Sequence, residues 1–547
     1  MTNDPPVPAV DQHRVDEHRT DQHRVDEHRV DEHRVDEHYV LAIDLGTGGP
    51  KVALVSTTGS VVAHEQRPVP LHLLPGGGAE QDPEDWWSAI TAASRSVLAQ
   101  GCVAAERIIG VGCTAQWSGT VAVGADGTPL MRAVIWMDSR GNRAIRKAAG
   151  GGVTVLGYAP SKLARWLWLT GGAPGMSGKD PVAHILFIRD EYPDVYRNTV
   201  TFLEPVDYLN LKLTGRTCAS FDSIAAHWVT NNRNIDAVDY DAGLLAMVGL
   251  ERSRLPDLVA PGTIIGTVTP SVADELGIPA GVPVVTGTGD VHSAVIGSGA
   301  VADLDAHLYI GTSSWISGHV PFKKTDALHN VASIPAALGG KYVIVDEHET
   351  AGACLTFVRD NLRFAPDFES CNAMAASVAP GAGRVLFTPW LNGERSPVDD
   401  HTIRGGFHNL SLGTTREQMV RAVYEGVAFN SRWLLGAVER FAGKRFDSLA
   451  FIGGGASSDE WAQIHADVTG RTIRQVAEPI LANVRGAGLL TLMALGRITV
   501  EDIPSMVAIR ATYTPDSSTA TVYGELYREF VALYKQTKGI HKRLNRF

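Results

Sequence analysis

Cysteine is scarce in this sequence: five residues in 547, at Cys102, Cys113, Cys218, Cys354 and Cys371, with no CxxC pair. That spacing excludes a zinc module and a disulfide framework, and it fits a reducing, cytoplasmic compartment. Long apolar runs are also missing. No stretch approaches the ~18 uncharged apolar residues of a membrane span, and the N-terminus has no apolar signal-peptide core, so no membrane association is expected. Positive charge is in deficit, with 49 Lys+Arg against 60 Asp+Glu and a formal charge of −11. The first 38 residues hold 11 acidic residues against 5 Arg, so −6 of that charge is theirs and −5 belongs to the rest. A body this weakly acidic has no general attraction for nucleic acid or anionic membrane. What is present is ordinary: 44% hydrophobic and 20% charged residues, the profile of a globular protein. The length is about three to four usual domains, so two or more are expected.

Residues 10–39 are six copies of a pentapeptide, VDQHR, VDEHR, TDQHR, VDEHR, VDEHR and VDEHY. On a helix each copy would turn by about 140° relative to the last, so its valines form no single face. Nearly half of its residues are charged, and it cannot bury enough surface to offset its ordering entropy. Residues 1–38 are therefore expected to be a disordered tail. His13, His18, His23, His28, His33 and His38 could capture metal, but alternating Arg and carboxylates offer no closed ligand geometry.

From Tyr39 the pattern changes. YVLAIDLGTGGPKVALVSTTGSVVAHEQRPV reads as strand, Gly-rich turn, strand, turn, strand. DPEDWWSAITAASRSVLAQG reads as an amphipathic helix capped by Asp82, and IIGVGCTAQ as a short buried strand. Residues 414–441 are the clearest long helix, and SLAFIGGGASSDEWAQIHADVTG is a strand, a glycine turn and a helix. Alternating strands and helices define an α/β protein, with a soft boundary near residues 298–304.

Three glycine turns follow apolar strands: DLGTGGPK (44–51), IGTSSW (310–315) and FIGGGASSDEW (451–461). Successive backbone N–H groups in such a turn cradle a phosphate, and glycines allow close approach. Thr47 adds a hydroxyl, Lys51 a cation, and Asp44 a carboxylate for Mg²⁺ or its waters. Neither a P-loop nor a dinucleotide fingerprint is present. Spread over both halves of the chain, the turns suggest a nucleotide held between two lobes.

The set resembles the FGGY carbohydrate kinases, within the wider actin, sugar-kinase and heat-shock ATPase fold. DLGTGGPK is similar to the family's first phosphate hairpin, IGTSS to its second and GGGAS to its adenosine loop. GGFHNLSLGTTREQMVRAVYEGVAF (405–429) is similar to its C-terminal signature, with Asn409 where glycine is usual. TPWLNGERSP (388–397) resembles the loop before that signature, and GVGCTAQWSGT the sugar-contacting loop. The pentulose kinases are the most similar subgroup. The resemblance implies two actin-like (ribonuclease H-like) α/β ATPase domains around an interdomain cleft: a sugar domain at 39–300, a nucleotide domain at 301–500 and a helical extension at 501–547.

The implied activity is phosphoryl transfer from ATP, with Mg²⁺, to a hydroxyl of a small sugar, foremost D-xylulose, with ribulose or a polyol as the alternative. Asp290, in TGTGDVHSAVIGSG, matches the base; read from the residues alone, without the neighbouring motifs, it is a helix N-cap sooner than a base. Asp44 matches the metal-organising carboxylate. ATP contacts are implied at Thr47, Gly48, Lys51, Gly311, Thr312, Gly453, Gly454, Gly455, Ala456 and Asp459. Sugar contacts are implied at Gln116, Trp117, Ser118, Asp138, Arg140 and Asp290, though Asp138 and Arg140 could instead be a structural pair. A homodimer is possible.

The sequence departs from the family in several places. Trp117 and Ser118 stand where pentulose kinases usually show Met-His. Pro50 lacks an N–H for a phosphate. Val291 replaces the usual amide, and His292 after it reads as a helix-surface histidine. Glu347, His348 and Glu349 read as a solvated loop rather than a metal cluster. The N-terminal signature around Lys162 is broken by Ala159 and Arg165. A sensor that binds ATP without turnover, or a chaperone-like ATPase, are the rival classes.

Overall fold

The computed structural model describes residues 37–545; the repeat through residue 36, with its expected disorder, lies outside the described residues. The first lobe is built on a six-stranded sheet. Its strands are β1 (Tyr39–Gly46), β2 (Gly49–Ser56), β3 (Val61–Gln66), β4 (Ile108–Ala115), β5 (Ile264–Thr267) and β6 (Pro283–Gly289), in the order β5-β6-β4-β1-β2-β3. β1, β2 and β3 form an antiparallel meander, while β1, β4 and β6 run parallel. Alternation of apolar residues with short turns explains the meander. The parallel strands are nearly continuous apolar or small runs because helices cover both faces. Helix α1 (Pro83–Ala99) lies on one face; Asp82 caps it by accepting from the Glu84 N–H at 3.0 Å, and Trp86 and Ile90 enter the core.

The second lobe repeats the plan with β7 (Ala306–Ile310), β8 (Ser314–Ser317), β9 (Ser448–Ile452), β10 (Thr472–Val476) and β11 (Ile509–Tyr513), ordered β8-β7-β9-β10-β11. The strands β7, β9 and β10 are parallel, flanked by antiparallel β8 and β11. The segment after 500 is therefore not purely helical: its strand β11 completes this sheet before the last helix packs Tyr523 and Phe530 into the lobe's core. Two lobes of this plan are the actin-like α/β architecture expected.

Further helices matter to the site: α2 (Pro205–Thr214), α3 (Asp290–Gly297), α4 (Arg416–Ala442), α5 (Asp459–Thr469) and α6 (Ala482–Ala494). α4 opens with a capping box between Thr415 and Gln418. Just before it, Asn409 sits at φ 64°, and its side chain donates to the Arg384 carbonyl at 3.0 Å. Asn is among the few residues that tolerate the left-handed region, so it substitutes for the glycine usual there.

The lobes exchange helices. α6, from the second half of the chain, packs against β1, β2 and β4 of the first lobe, while α3 packs with Trp315, Ala450 and Ile452 of the second. The two helices cross at glycines. A Cβ on Gly297 would lie 1.8 Å from the Ala482 carbonyl oxygen, and one on Gly486 would lie 1.9 Å from that of Ser293. Because α3 begins with Asp290, this crossing ties the predicted base to both lobes. Among the described residues, no helix is long and apolar enough to cross a membrane, and all five cysteines are free.

Candidate active site between the lobes

The β1–β2 hairpin places Asp44 opposite Lys51 in register, with Lys51 Nζ 3.7 Å from Asp44 Oδ2. Lys51 also donates to the Ile480 carbonyl at 3.0 Å, so this cation reaches the second lobe. Asp44 is buried, and desolvation holds its carboxyl above the usual range although Lys51 opposes it. Pro50 lies in β2, opposite Leu45 in register. Its carbonyl accepts from the Arg67 N–H at 3.1 Å, so its backbone edge faces the chain just after β3.

Thr47 at the tip joins a polar chain. Trp136 Nε1 donates to its hydroxyl at 2.9 Å, the hydroxyl donates to Gln116 Oε1 at 3.1 Å, and Gln116 Nε2 donates to Gln81 Oε1 at 2.7 Å. Gln81 Nε2 closes the ring on the Thr47 carbonyl at 2.8 Å. This network fixes the hairpin against the loop that follows β4. Gly48 remains the exposed apex of the turn.

Trp117 is held by its Nε1 donating to the Ser223 carbonyl at 2.8 Å and lies directly over Gly289, whose Cβ would be 3.0 Å from Trp117 Cγ. That glycine precedes Asp290, so the indole flanks the predicted base. Ser118 adopts φ 63°, and the next N–H, of Gly119, donates to Glu204 at 2.9 Å. His292 is not on a helix surface. It is buried, edge-on to Trp117 at 5.3 Å, and burial lowers its affinity for a proton.

Asp290 starts α3, but the N-cap is Gly289 and no side chain caps the helix. Asp290 is therefore the first residue of the helix and not its cap; its carboxylate accepts from the adjacent Val291 N–H at 2.9 Å. Burial, then the charge of Asp44, pushes Asp290 up to about 7. A carboxylate poised near neutral pH suits a general base.

Asp138 and Arg140 come together as a closed brace. Asp138 is fully buried, accepts from the Ala79 N–H at 2.8 Å and from Arg140 Nη2 at 2.6 Å, and Arg140 also pairs with Glu80 at 2.6 Å. Asp138 and most of the Arg140 donors are thus engaged within the protein, the structural pair that the sequence left open beside sugar contact.

Across the cleft, the Gly311 and Thr312 carbonyls accept from the N–H groups of Gly352 and Ala351, at 2.8 and 2.9 Å, tying the second turn to the helix that follows. The third glycine turn is tight on two sides: Cβ atoms on Gly453 and Gly455 would meet Ile310 at 2.5 and 2.4 Å. Gly454 differs, being exposed with nothing within 4 Å of a Cβ. Ala456 is buried beneath it, its carbonyl accepting from Gln475 at 2.7 Å. Asp459 turns toward Gln475 and Arg510, at 3.1 and 2.9 Å, so its carboxylate has protein partners.

Sequence reasoning missed the charged wall between the lobes. Lys179 of the first lobe pairs with Glu349 of the second at 3.1 Å, and Arg395 pairs with both Glu347 and Glu349 while lying 5.8 Å from the Trp136 ring centroid. Glu347–Glu349 is thus an ion-pair hub, not a solvated loop, and His348 is buried, its Nδ1 2.7 Å from the Ser314 hydroxyl. Gln81 was missed too; its only signal is a polar residue just before the Asp82 cap.

Two α/β lobes exchanging helices around a carboxylate, with glycine turns on either side, have the plan of the actin-like ATPase fold. Residues 39–297 and 307–495 match the N-terminal and C-terminal domains of the FGGY family of carbohydrate kinases. The chain belongs to that family, and it is a sugar kinase. It is 28% identical to the xylulose kinase of Staphylococcus epidermidis over 91% of this chain and 97% of the relative. It superposes on a ligand-bound xylulose kinase from Lactobacillus acidophilus with a TM-score of 0.82 at 21% identity, covering 93% of this chain and all of that one. A gluconate kinase from the same organism gives the same TM-score at 22% identity and the same coverage.

Gly454 offers a clean test of the nucleotide side. Because its Cβ direction is open, Gly454→Val should fold with an unchanged thermal midpoint yet weaken ATP binding at least tenfold, with sugar affinity retained. Calorimetric titration of both ligands checks this; equal loss of both would assign the turn a purely structural role.

Proposed function

We propose that this chain transfers the γ-phosphoryl group of ATP to the terminal hydroxyl of D-xylulose. The observation that carries the reading is Asp290: a half-buried carboxylate raised to about 7, at the junction of both lobes, beside the sugar-loop Trp117 and across from Asp44. In this reading Asp290 accepts the hydroxyl proton. Trp117 offers its face to the sugar carbons, and closure of the lobes keeps water from the phosphates. The ion-pair wall through Lys179, Glu349 and Arg395 supports the closed arrangement.

ATP lies between the three glycine turns, with Gly454 beneath the adenosine, and Gly48, Gly311 and Thr312 near the phosphates. Asp44 would hold Mg²⁺ or its waters. The donor chemistry fits: Asp44 offers a buried oxygen whose charge acts on Asp290, and Lys51 at 3.7 Å offsets only part of that negative charge, which favours a hard cation. Mg²⁺ in kinases is held by one or two carboxylates plus substrate phosphates, a role one buried aspartate can fill. When bound, the ion neutralises charge on those phosphates.

D-xylulose as the acceptor rests on the 28%-identical relative. A different polyhydroxyl acceptor, such as ribulose or a polyol, is the second reading. Trp117 and Ser118 favour it, because they replace Met and His in the sugar loop. The kcat/KM values across D-xylulose, L-xylulose, D-ribulose, L-ribulose, xylitol and gluconate decide between them. The highest value is expected for D-xylulose; a preference of tenfold or more for another acceptor reassigns the substrate.

A further inference from the structure

Tyr309 belongs to no motif singled out in the sequence, yet it occupies the cleft. It lies in β7, two residues before Gly311, and its ring stacks on that of its register partner Trp315 with centroids 3.8 Å apart and planes 6° from parallel. Trp315 is itself pinned, its Nε1 donating to His307 Nε2 at 3.1 Å. Two stacked rings on adjacent strands hold the phenol in one orientation.

That orientation aims the hydroxyl at the second phosphate turn: a Cβ on Gly311 would lie 2.7 Å from the Tyr309 oxygen. The side chain is only half-buried and packs, as does Val291 after Asp290, against the core cluster that joins α3 to the second lobe. Among the described residues, no protein group accepts the phenol's proton. Burial, and then the charges of Asp290 and Asp44, raises its pKa and keeps it protonated. The hydroxyl is thus a fixed, unspent donor within the electrostatic reach of both carboxylates and against the second turn.

We infer that the Tyr309 hydroxyl donates a hydrogen bond to the phosphoryl group in transfer. The inference rests on the kinase reading, which places that group between the β1–β2 hairpin, Asp290 and the Gly311 turn. Phosphoryl transfer spreads negative charge over the equatorial oxygens, and preorganised donors aimed at them are worth more in a dry cleft than in water. The stack supplies the preorganisation.

Tyr309→Phe keeps the ring and its stack and removes only the donor. The test measures kcat and both KM values, and the calorimetric affinities for Mg·ADP and for a non-hydrolysable Mg·ATP analogue. Expected are a kcat lower by about 10–100-fold, a sugar KM within twofold of wild type, an unchanged ADP affinity and a severalfold loss for the ATP analogue. An unchanged thermal midpoint accompanies these. Wild-type turnover in Tyr309→Phe, or equal losses for ADP and the analogue, overturns the inference. Faster turnover in Tyr309→Ala would also overturn it, by showing that the ring obstructs the phosphate. If no sugar supports turnover of the wild type, the kinase reading falls, and the contrast between ADP and the analogue still decides what Tyr309 touches.

Discussion

Asp290→Asn should give a folded protein that binds ATP and sugar but turns over on the order of 10²–10⁴-fold more slowly. The amide keeps the size of the side chain and can still accept from the Val291 N–H, but it cannot take the proton of the attacking hydroxyl. Stability should move the other way. The Asp290 carboxyl is raised from its ordinary value to about 7 in the folded protein. Its ionisation therefore opposes folding, an effect that sets in as pH rises above about 4 and is complete above about 7. The variant should melt higher than wild type at pH 8, and the gap should close as pH falls toward 4. Wild-type activity should rise with pH through a limb near neutrality rather than near the ordinary carboxylate range. A variant within a few-fold of wild-type kcat would remove Asp290 from catalysis.

Asp44→Asn should lower kcat by roughly 10²–10³-fold, the loss typical of one electrostatic group at a transition state. It should also shift the Mg²⁺ activation curve to higher concentration. Lys51 keeps its bond to the Ile480 carbonyl in this variant. Because burial disfavours the Asp44 charge, the thermal midpoint should hold or rise. A turn aspartate with no catalytic part would give the opposite pattern, normal turnover with a lower midpoint. Titrating Mg²⁺ against both proteins at saturating ATP separates the two.

Much of this arrangement was legible because local rules carried it. The meander from Tyr39 announced itself by apolar alternation broken at glycine turns, and α1 by the cap at Asp82. Gln116 and Trp117 could be placed at the cleft, but not their anchors, since Gln81 and Ser223 lie 35 and 106 residues away. His292 was misplaced because a single histidine outweighed the pattern around it: after Asp290, α3 carries no charged residue, so it has no polar face to offer water. The Glu347–Glu349 segment looked solvated because its partner, Arg395, is 48 and 46 residues further on. β11 escaped notice because it is an edge strand with largely exposed residues, defined by pairing with β10 and not by its own sequence. Tyr309 carries no motif, and only the stack with Trp315 reveals where its hydroxyl points.

The central claim is that ATP is consumed only as a sugar is phosphorylated. ADP release and the phosphorus NMR spectrum of the product, followed together with and without D-xylulose at pH 8 and saturating Mg²⁺, test it most directly. The account predicts one phosphomonoester formed per ADP released, little ADP without sugar, and loss of both signals in Asp290→Asn. ADP release at the same rate with and without any sugar of the panel, and no phosphomonoester, would contradict it.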